Sequence, residues 1–516
     1  MRRFVLWFFL AGCPQPGDGT GGGVTQEDPD GDPPVESDEP PAASDTAAPC
    51  APTGFAADPV IWALPSAWGD ALFDPYDAGA MIGNCQAGRP SWLLERMTPD
   101  YLPDLVVTQE ACAEGPVGRT RWDVYEALPE GAFSEAPIVW TLPPVYQDAR
   151  YDPFAGPNTI GDCVQGPPTL GLLDMNGDFY ADLVVFDEPC LSGPLGAERW
   201  DVYLNDGSGF EERPVAWELP RGFGGTLFDP FPLAWNVPSC ANEAPGYRLL
   251  DMDGDFLPDL VVTQEPCLDG PLGRARWDVY RNTGAGFAAT PTPWRLPDAW
   301  SGALRDPLAD VEGEARCQDG APAFGLAQLT DDYAPDLVIF DEPCLDGPLG
   351  RARWEVYVAG PDGLASSPLA WSLPQGFDDA LWDPFAGPAS DGNCQSGRPR
   401  YRLENYLGHL ADDLVILDEP CASGPLGRYR WDIHEALGAG FSPDPHAWSL
   451  PMTWDDALLD PLSHEARTHA CNEGWPTYTT QDLTEDWVSD LVIHDEPCSG
   501  PIGRTHWEVY PAVCGP

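Results

Sequence analysis

The chain has 516 residues and carries 83 acidic against 26 basic side chains, a formal net charge of −57, and every basic one is arginine. Such a field repels nucleic-acid phosphates and anionic lipid head groups, and leaves cations, neutral glycans and basic protein surfaces as partners. Length alone suggests three or more domains, an expectation overridden by the repeat described below.

Arg2 and Arg3 precede a short apolar run, Phe4 to Leu10, which leads into Leu10-Ala11-Gly12-Cys13. That run is far too short to span a bilayer as a helix, so residues 1–12 read as a removable signal. The four residues resemble the bacterial lipobox. The resemblance implies that Cys13 is lipidated and becomes the mature N-terminus; an ordinary secretory signal is the alternative. Pro14 follows where an inner-membrane retention Asp would stand, which implies an exported chain held at the outer membrane or cell surface through the Cys13 lipid alone. Residues 13–49 are Gly, Pro, Asp, Glu, Ser and Thr with almost no large apolar side chain. They are expected to form a disordered acidic tether, because they cannot bury enough surface to offset chain entropy.

From Trp62 onward the chain repeats. Trp-x-Leu-Pro recurs at Trp62, Trp140, Trp217, Trp294, Trp371 and Trp448, in steps of 78, 77, 77, 77 and 77 residues. Asp-Leu-Val keeps the same step at Asp104, Asp182, Asp259, Asp336, Asp413 and Asp490. In the third copy, Tyr247–Leu250 and Leu260–Thr263 flank an Asp-rich turn, Arg276–Tyr280 is a third strand, and the stretch into Trp294–Leu296 is a fourth. Four short strands per copy and six copies predict an all-β, six-bladed β-propeller over residues 50–516. The last copy stops after its third strand, and an extra strand, Val60–Leu64, precedes the first copy. That N-terminal strand is expected to complete the sixth blade and close the ring.

Twelve of the fifteen cysteines form six pairs, each separated by 27 residues: Cys85 and Cys112, Cys163 and Cys190, Cys240 and Cys267, Cys317 and Cys344, Cys394 and Cys421, Cys471 and Cys498. Each pair is centred on the turn between the first two strands, and two residues equidistant from a hairpin turn lie opposite each other. An exported chain permits disulfides, so one bridge per blade is expected, worth about 3–4 kcal/mol each in the chain-entropy model. Cys50 and Cys514 map to the turn joining strands three and four, and their bridge would replace the turn that ring closure cuts. The seven histidines follow no Cys-linked spacing, which argues against a zinc framework of cysteine and histidine.

The Asp-rich turns carry oxygen side chains at positions 1, 3, 5 and 9: Asp174, Asn176, Asp178 and Asp182 in the second copy, Asp251, Asp253, Asp255 and Asp259 in the third. Alternating carboxylates on a tight turn can converge on a hard cation, and calcium is the expected cofactor. Asp turns that bond only their own backbone are the alternative. These residues, with the Asp-Leu-Val-Val strand that follows, resemble the calcium loops of FG-GAP and VCBS repeats, the family of the integrin α-subunit propeller. The likeness extends over residues 58–513. It departs at position 6, where the family has Gly and this chain has Phe179 and Phe256. The sixth copy keeps Asp482, Thr484, Asp486 and Asp490 as a third candidate. The first and fourth keep only Asp100 with Asp104 and Asp332 with Asp336, and the fifth has Leu407 and His409 at ligand positions and is expected to bind nothing.

The recurring tryptophans on strands three and four are expected to fill the space between sheets, and Glu265 and Arg276, with their counterparts, to pair within each blade. No nucleophile elbow, phosphate-binding glycine loop or zinc-protease motif occurs. The sequence thus predicts no catalytic residues and a monomeric surface module that binds a protein or glycan, with loops stiffened by calcium. A structural, disulfide-hardened envelope protein, or a propeller hydrolase or lyase, are the alternatives.

Overall fold

The computed structural model describes residues 52–68, 90–100, 102–110, 115–146, 168–187, 193–221, 245–265, 270–300, 304, 322–342, 347–361, 363–376, 399–418, 424–454, 476–484, 486, 488–496 and 500–514. Among these the fold is all-β apart from short 3-10 turns, and no helix is long and apolar enough to cross a membrane.

Six antiparallel four-stranded units make the blades of a propeller. Blade three shows the plan, with strands Gly246–Leu250, Asp259–Gln264, Arg276–Tyr280 and Thr292–Arg295 in sequential order. Its fourth strand ends before Leu296, slightly earlier than the sequence suggests. The second strand is buried along its whole length, because it lies inside its sheet and faces a neighbouring blade on each side. The fourth strand is outermost and buries only its tryptophan. This is why the second strand reads as an unbroken apolar run while the fourth is marked by a single Trp.

The core lies between blades. Each of six apolar clusters is built from two consecutive blades, and one of them joins Leu483, Val492, Trp507 and Val509 of the sixth to Trp92, Leu105, Val107 and Tyr125 of the first. The ring is therefore closed. Its closing strand is N-terminal, as the sequence predicts: Val60–Ala63 pairs antiparallel with His506–Tyr510, setting Trp62 opposite Trp507. Every blade has the same cross-strand pair, such as Trp200 opposite Trp217 and Trp277 opposite Trp294. All twelve of these indoles are buried.

A phenylalanine seven residues before five of the six fourth-strand tryptophans locks neighbouring blades together. Phe133 meets Trp62 and Trp507, Phe210 meets Trp122 and Trp140, Phe287 meets Trp200 and Trp217, Phe441 meets Trp354 and Trp371, and Phe55 meets Trp431 and Trp448, all edge-on. In the fourth copy Leu364 replaces the ring and packs on the cluster containing Trp277 and Trp294. Edge-to-face contacts of this kind add roughly 0.5–1.5 kcal/mol each beyond area burial.

The turn between strands three and four of blade six is assembled from the two ends of the ring. Pro52–Phe55 pairs antiparallel with Ala512–Cys514 and touches the fourth strand of blade five at Gly54 and Ser449. A Cβ at position 54 would stand 2.7 Å from the Ser449 nitrogen, so only glycine allows this approach. The backbone of Cys514 lies opposite Pro52, two residues along the chain from Cys50. Cys50, the six paired sets Cys85–Cys112 to Cys471–Cys498, and Cys13 lie outside the described residues.

Arg276 does not pair with Glu265. Its Nε donates to Asp278 Oδ1 at 2.7 Å, two residues along the same strand, and Arg121, Arg199 and Arg430 repeat the arrangement. The Glu265 carboxylate instead accepts the Leu272 N–H at 3.5 Å, as Glu110 accepts that of Val117 and Glu496 that of Ile502. Arg276 and Asp278 point to the same face of one strand, where the long guanidinium reaches the carboxylate, while Glu265 lies just past the end of the adjacent strand and is held by the turn that follows.

Candidate metal centre

The aspartate that opens each second strand is fully buried in every blade. One carboxylate oxygen accepts a backbone N–H seven residues earlier, in the loop between strands one and two. The other accepts an N–H 22 or 23 residues later, at the turn after strand three. Asp182 thus takes the Met175 N–H at 3.0 Å and the Asn205 N–H at 2.8 Å, and Asp259 takes those of Met252 (3.3 Å) and Asn282 (2.8 Å). Asp104, Asp336, Asp413 and Asp490 do the same in the other four blades. Position 9 is therefore first a strut tying two turns together, with or without the rest of a cation loop.

Position 1 folds the loop on itself. Asp251 Oδ1 accepts the Gly254 and Asp255 N–H groups at 2.8 and 3.2 Å, and Oδ2 accepts that of Phe256 at 2.8 Å. Asp174 repeats this toward Gly177 and Phe179 at 2.7 and 2.8 Å. These are the backbone bonds an Asp turn makes by itself, and the Oδ2 of each, with one backbone donor, keeps a second lone pair.

Position 3 separates the blades. In the third loop Asp253 Oδ1 is buried with no hydrogen-bond donor, while its Oδ2 is held by Arg281 Nε at 3.2 Å. Asp251, Asp253 and Asp259 bring carboxylate oxygens within 4.8 Å of one another, the one such group of Asp, Glu, His or Cys among the described residues. A buried orphan oxygen amid converging carboxylates fits a hard cation. Asp255 stands at the loop's exposed edge, accepting the Leu257 N–H at 2.9 Å. In the second loop Asn176 donates to Asp178 at 2.8 Å and accepts the Asp178 N–H at 3.1 Å. In the sixth, the Thr484 hydroxyl donates to Asp490 (3.2 and 3.3 Å), Asp482 accepts the Thr484 N–H, and Asp486 accepts that of Val488. Thr98 and Thr330 hold the same position in the first and fourth blades and donate to Asp104 and Asp336. A threonine hydroxyl here satisfies the buried strut with a proton, where a cation would do so with charge.

Phe179 and Phe256 adopt φ of 69°, the left-handed region in which glycine would be unstrained, and Tyr333 of blade four does the same at 63°. The departure from glycine therefore leaves the turn's backbone course intact. The three rings form a row across blades two to four, Phe179 to Phe256 at 6.2 Å and Phe256 to Tyr333 at 5.0 Å between centroids. The loops lie directly on one another: a Cβ on Gly254 would stand 2.9 Å from the Asp332 carbonyl oxygen. The aromatic row was legible in the sequence as a shared position three residues before each Asp-Leu-Val. Reading that position only as a missing glycine hides it.

Burial dominates the electrostatics. It raises Asp182 and Asp259 to about 8 and Asp174 and Asp251 to about 6 despite their backbone donors. Asp104, in a blade without the full ligand set, rises to about 7. A carboxyl whose folded value exceeds its unfolded value near 4 binds more protons folded than unfolded between the two, so stability falls as pH rises through that window. Self-repulsion of an acidic chain acts in the same direction. In chelator, the melting temperature is expected to fall by roughly 5–10 °C between pH 5 and pH 8. A flat or rising profile in differential scanning calorimetry would overturn this assignment.

No known family profile matches the chain, and no curated protein matches it significantly. Similar solved structures include a Tc holotoxin pore of Photorhabdus luminescens, at 17% identity and a TM-score of 0.41 over 82% of this chain and 14% of that one. Another is an Agrocybe aegerita lectin described for its recognition of non-reducing terminal N-acetylglucosamine, at 16% identity and a TM-score of 0.38 over 78% and 74% of the two chains. This chain thus spans only 14% of the toxin component's length.

Proposed function

We propose that the protein is a non-catalytic binding module of the cell surface, carried at the outer membrane by a lipid on Cys13, whose ligand is a glycan or a protein. Calcium would stiffen its loops, held in the third by Asp251, Asp253, Asp255 and Asp259 and in the second by Asp174, Asn176, Asp178 and Asp182. The sixth loop, with Asp482, Thr484, Asp486 and Asp490, would be the weakest of the three, because its hydroxyl already donates to Asp490.

The reading is carried by the row of Phe179, Phe256 and Tyr333. The recurring tryptophans are consumed by packing, whereas these half-buried rings cross three adjacent loops at backbone positions costing roughly 1–2 kcal/mol for any residue but glycine. Strain retained at three equivalent positions, each offering an aromatic face beside carboxylates, suits a surface that stacks on a ligand.

A glycan array probed with residues 50–516, in calcium and then in chelator, tests this. Saturable binding that weakens in chelator is expected. A blank array in both conditions removes the glycan, and co-purification from envelope extracts then decides between a protein partner and a purely structural role. The aromatic row gives a separate prediction. Phe256→Gly relieves left-handed strain while deleting the central ring, so the melting temperature should stay within about 3 °C of wild type, with ligand binding reduced at least tenfold. A large loss of stability with unchanged binding would assign the rings to packing alone.

A further inference from the structure

The third loop holds the one group of converging carboxylates among the described residues, and its blade is the one with a basic residue directly after strand three. That position is Glu126, Leu204, Arg281, Val358, Glu435 and Pro511 in blades one to six. The arginine accompanies a fourth carboxylate. The third loop has Asp251, Asp253, Asp255 and Asp259, whereas the second has Asn176 and the sixth Thr484 at position 3, which leaves each with three aspartates. Four carboxylates with one guanidinium carry the same formal charge as three carboxylates alone.

The fold aims Arg281 at the loop. Asp259 Oδ1 accepts the Asn282 N–H at 2.8 Å, and the Ala288 N–H donates to the Arg281 carbonyl at 2.8 Å, so the backbone on either side of the arginine is fixed. From there Arg281 Nε lies 3.2 Å from Asp253 Oδ2, and Nη2 donates to the Pro361 carbonyl of blade four. The guanidinium is therefore held between two blades rather than left in solvent. Asp253 is nine-tenths buried, with 9% of its side chain exposed, and its Oδ1 has no hydrogen-bond donor. The arginine thus neutralises the position 3 carboxylate while leaving one of its oxygens unsatisfied. Its field reaches Asp255 as well, a carboxyl that burial and Asp253 push up and Arg281 draws down.

We propose that Arg281 is the resident counter-ion of the third loop, holding the metal-free loop together and lowering its affinity for calcium. The inference rests on the calcium reading of that loop and adds its regulation. Without the arginine, four aspartates on one short turn repel one another whenever the cation is absent. With it, the loop keeps its shape in calcium-poor surroundings. The cost falls on the cation, which meets a positive charge already placed against one of its ligands. A guanidinium stays charged at every pH the fold survives, so pH does not relieve this antagonism. The second loop, with Leu204 at the equivalent position, has no such competitor.

The test is calcium titration of the full chain by calorimetry, comparing wild type with Arg281→Gln and Arg281→Lys. The third-loop component is the one that Asp253→Ala removes. Arg281→Gln is expected to bind calcium there about tenfold more tightly, with Arg281→Lys within about threefold of wild type because the charge is kept. The gap between wild type and Arg281→Gln should narrow as added salt screens the charge. In chelator Arg281→Gln should melt below wild type, a deficit that saturating calcium removes; a merely structural arginine would lower both melts alike. Unchanged affinity in Arg281→Gln, or Arg281→Lys matching Arg281→Gln, overturns the role of the arginine and leaves the calcium reading intact. If neither wild type nor Arg281→Gln shows a calcium component that depends on Asp253, the calcium reading of this loop falls and this inference falls with it.

Discussion

Replacing Asp336 with alanine should destabilise the ring by about 3–5 kcal/mol, and by the same amount in calcium and in chelator. Asp336 Oδ2 accepts the Leu329 and Thr330 N–H groups at 3.2 and 3.0 Å together with the Thr330 hydroxyl, and Oδ1 accepts the Ala359 N–H at 2.9 Å. Truncation leaves three backbone donors without an acceptor, and each buried orphan costs about 1–3 kcal/mol. Blade four has Gln328 and Thr330 where the third has Asp251 and Asp253, so its loop lacks the converging carboxylates and the loss is structural. Asp253→Ala should behave oppositely. In chelator it loses one partly exposed ion pair with Arg281, worth at most about 1 kcal/mol. In calcium it should forfeit the mass-action stabilisation, about 2.7 kcal/mol at one hundred times the dissociation constant. Denaturant melts of both variants in both conditions separate strut from ligand. A calcium-dependent penalty for Asp336→Ala would contradict the division drawn between them.

Trp62→Ala should be the most disruptive of the fourth-strand truncations. A buried Trp→Ala change costs about 3–5 kcal/mol anywhere in the core, and Trp294→Ala in blade three sets that baseline. Trp62 adds a topological penalty. Its strand joins blade six by pairing with His506–Tyr510 and by the Pro52–Phe55 pairing just before it, and touches blade one at Ala132, whereas Thr292–Arg295 continues directly from its own blade. Losing the indole removes the contacts with Trp507 and Phe133 that hold the closing strand. Limited proteolysis, read after reduction, should show the N-terminal segment cleaved from Trp62→Ala and spared in Trp294→Ala, with a larger hydrodynamic radius for the former. Equal protection of that segment in both variants would show that closure does not depend on this packing.

The sequence by itself determined the architecture: the number of blades, the strand order, the inward tryptophans and the N-terminal closing strand. Repetition makes this possible, because every local signal is stated six times and a single misread turn cannot shift the register of the other five. It could not determine what each repeated polar residue does. Asp259 reads in one dimension as the last ligand of a cation loop, yet its equivalents in all six blades are struts whose donors lie 22 or 23 residues further on. Arg276 reads as a partner for Glu265, yet the strand geometry gives it to Asp278. The aromatic row is likewise a product of the third dimension. Its members belong to different loops, and only the stacking of blades brings them within a few ångströms. Local pattern sets which face a residue points to, whereas contact between residues distant in sequence depends on how the sheets twist and pack, and that is decided by the folded chain as a whole.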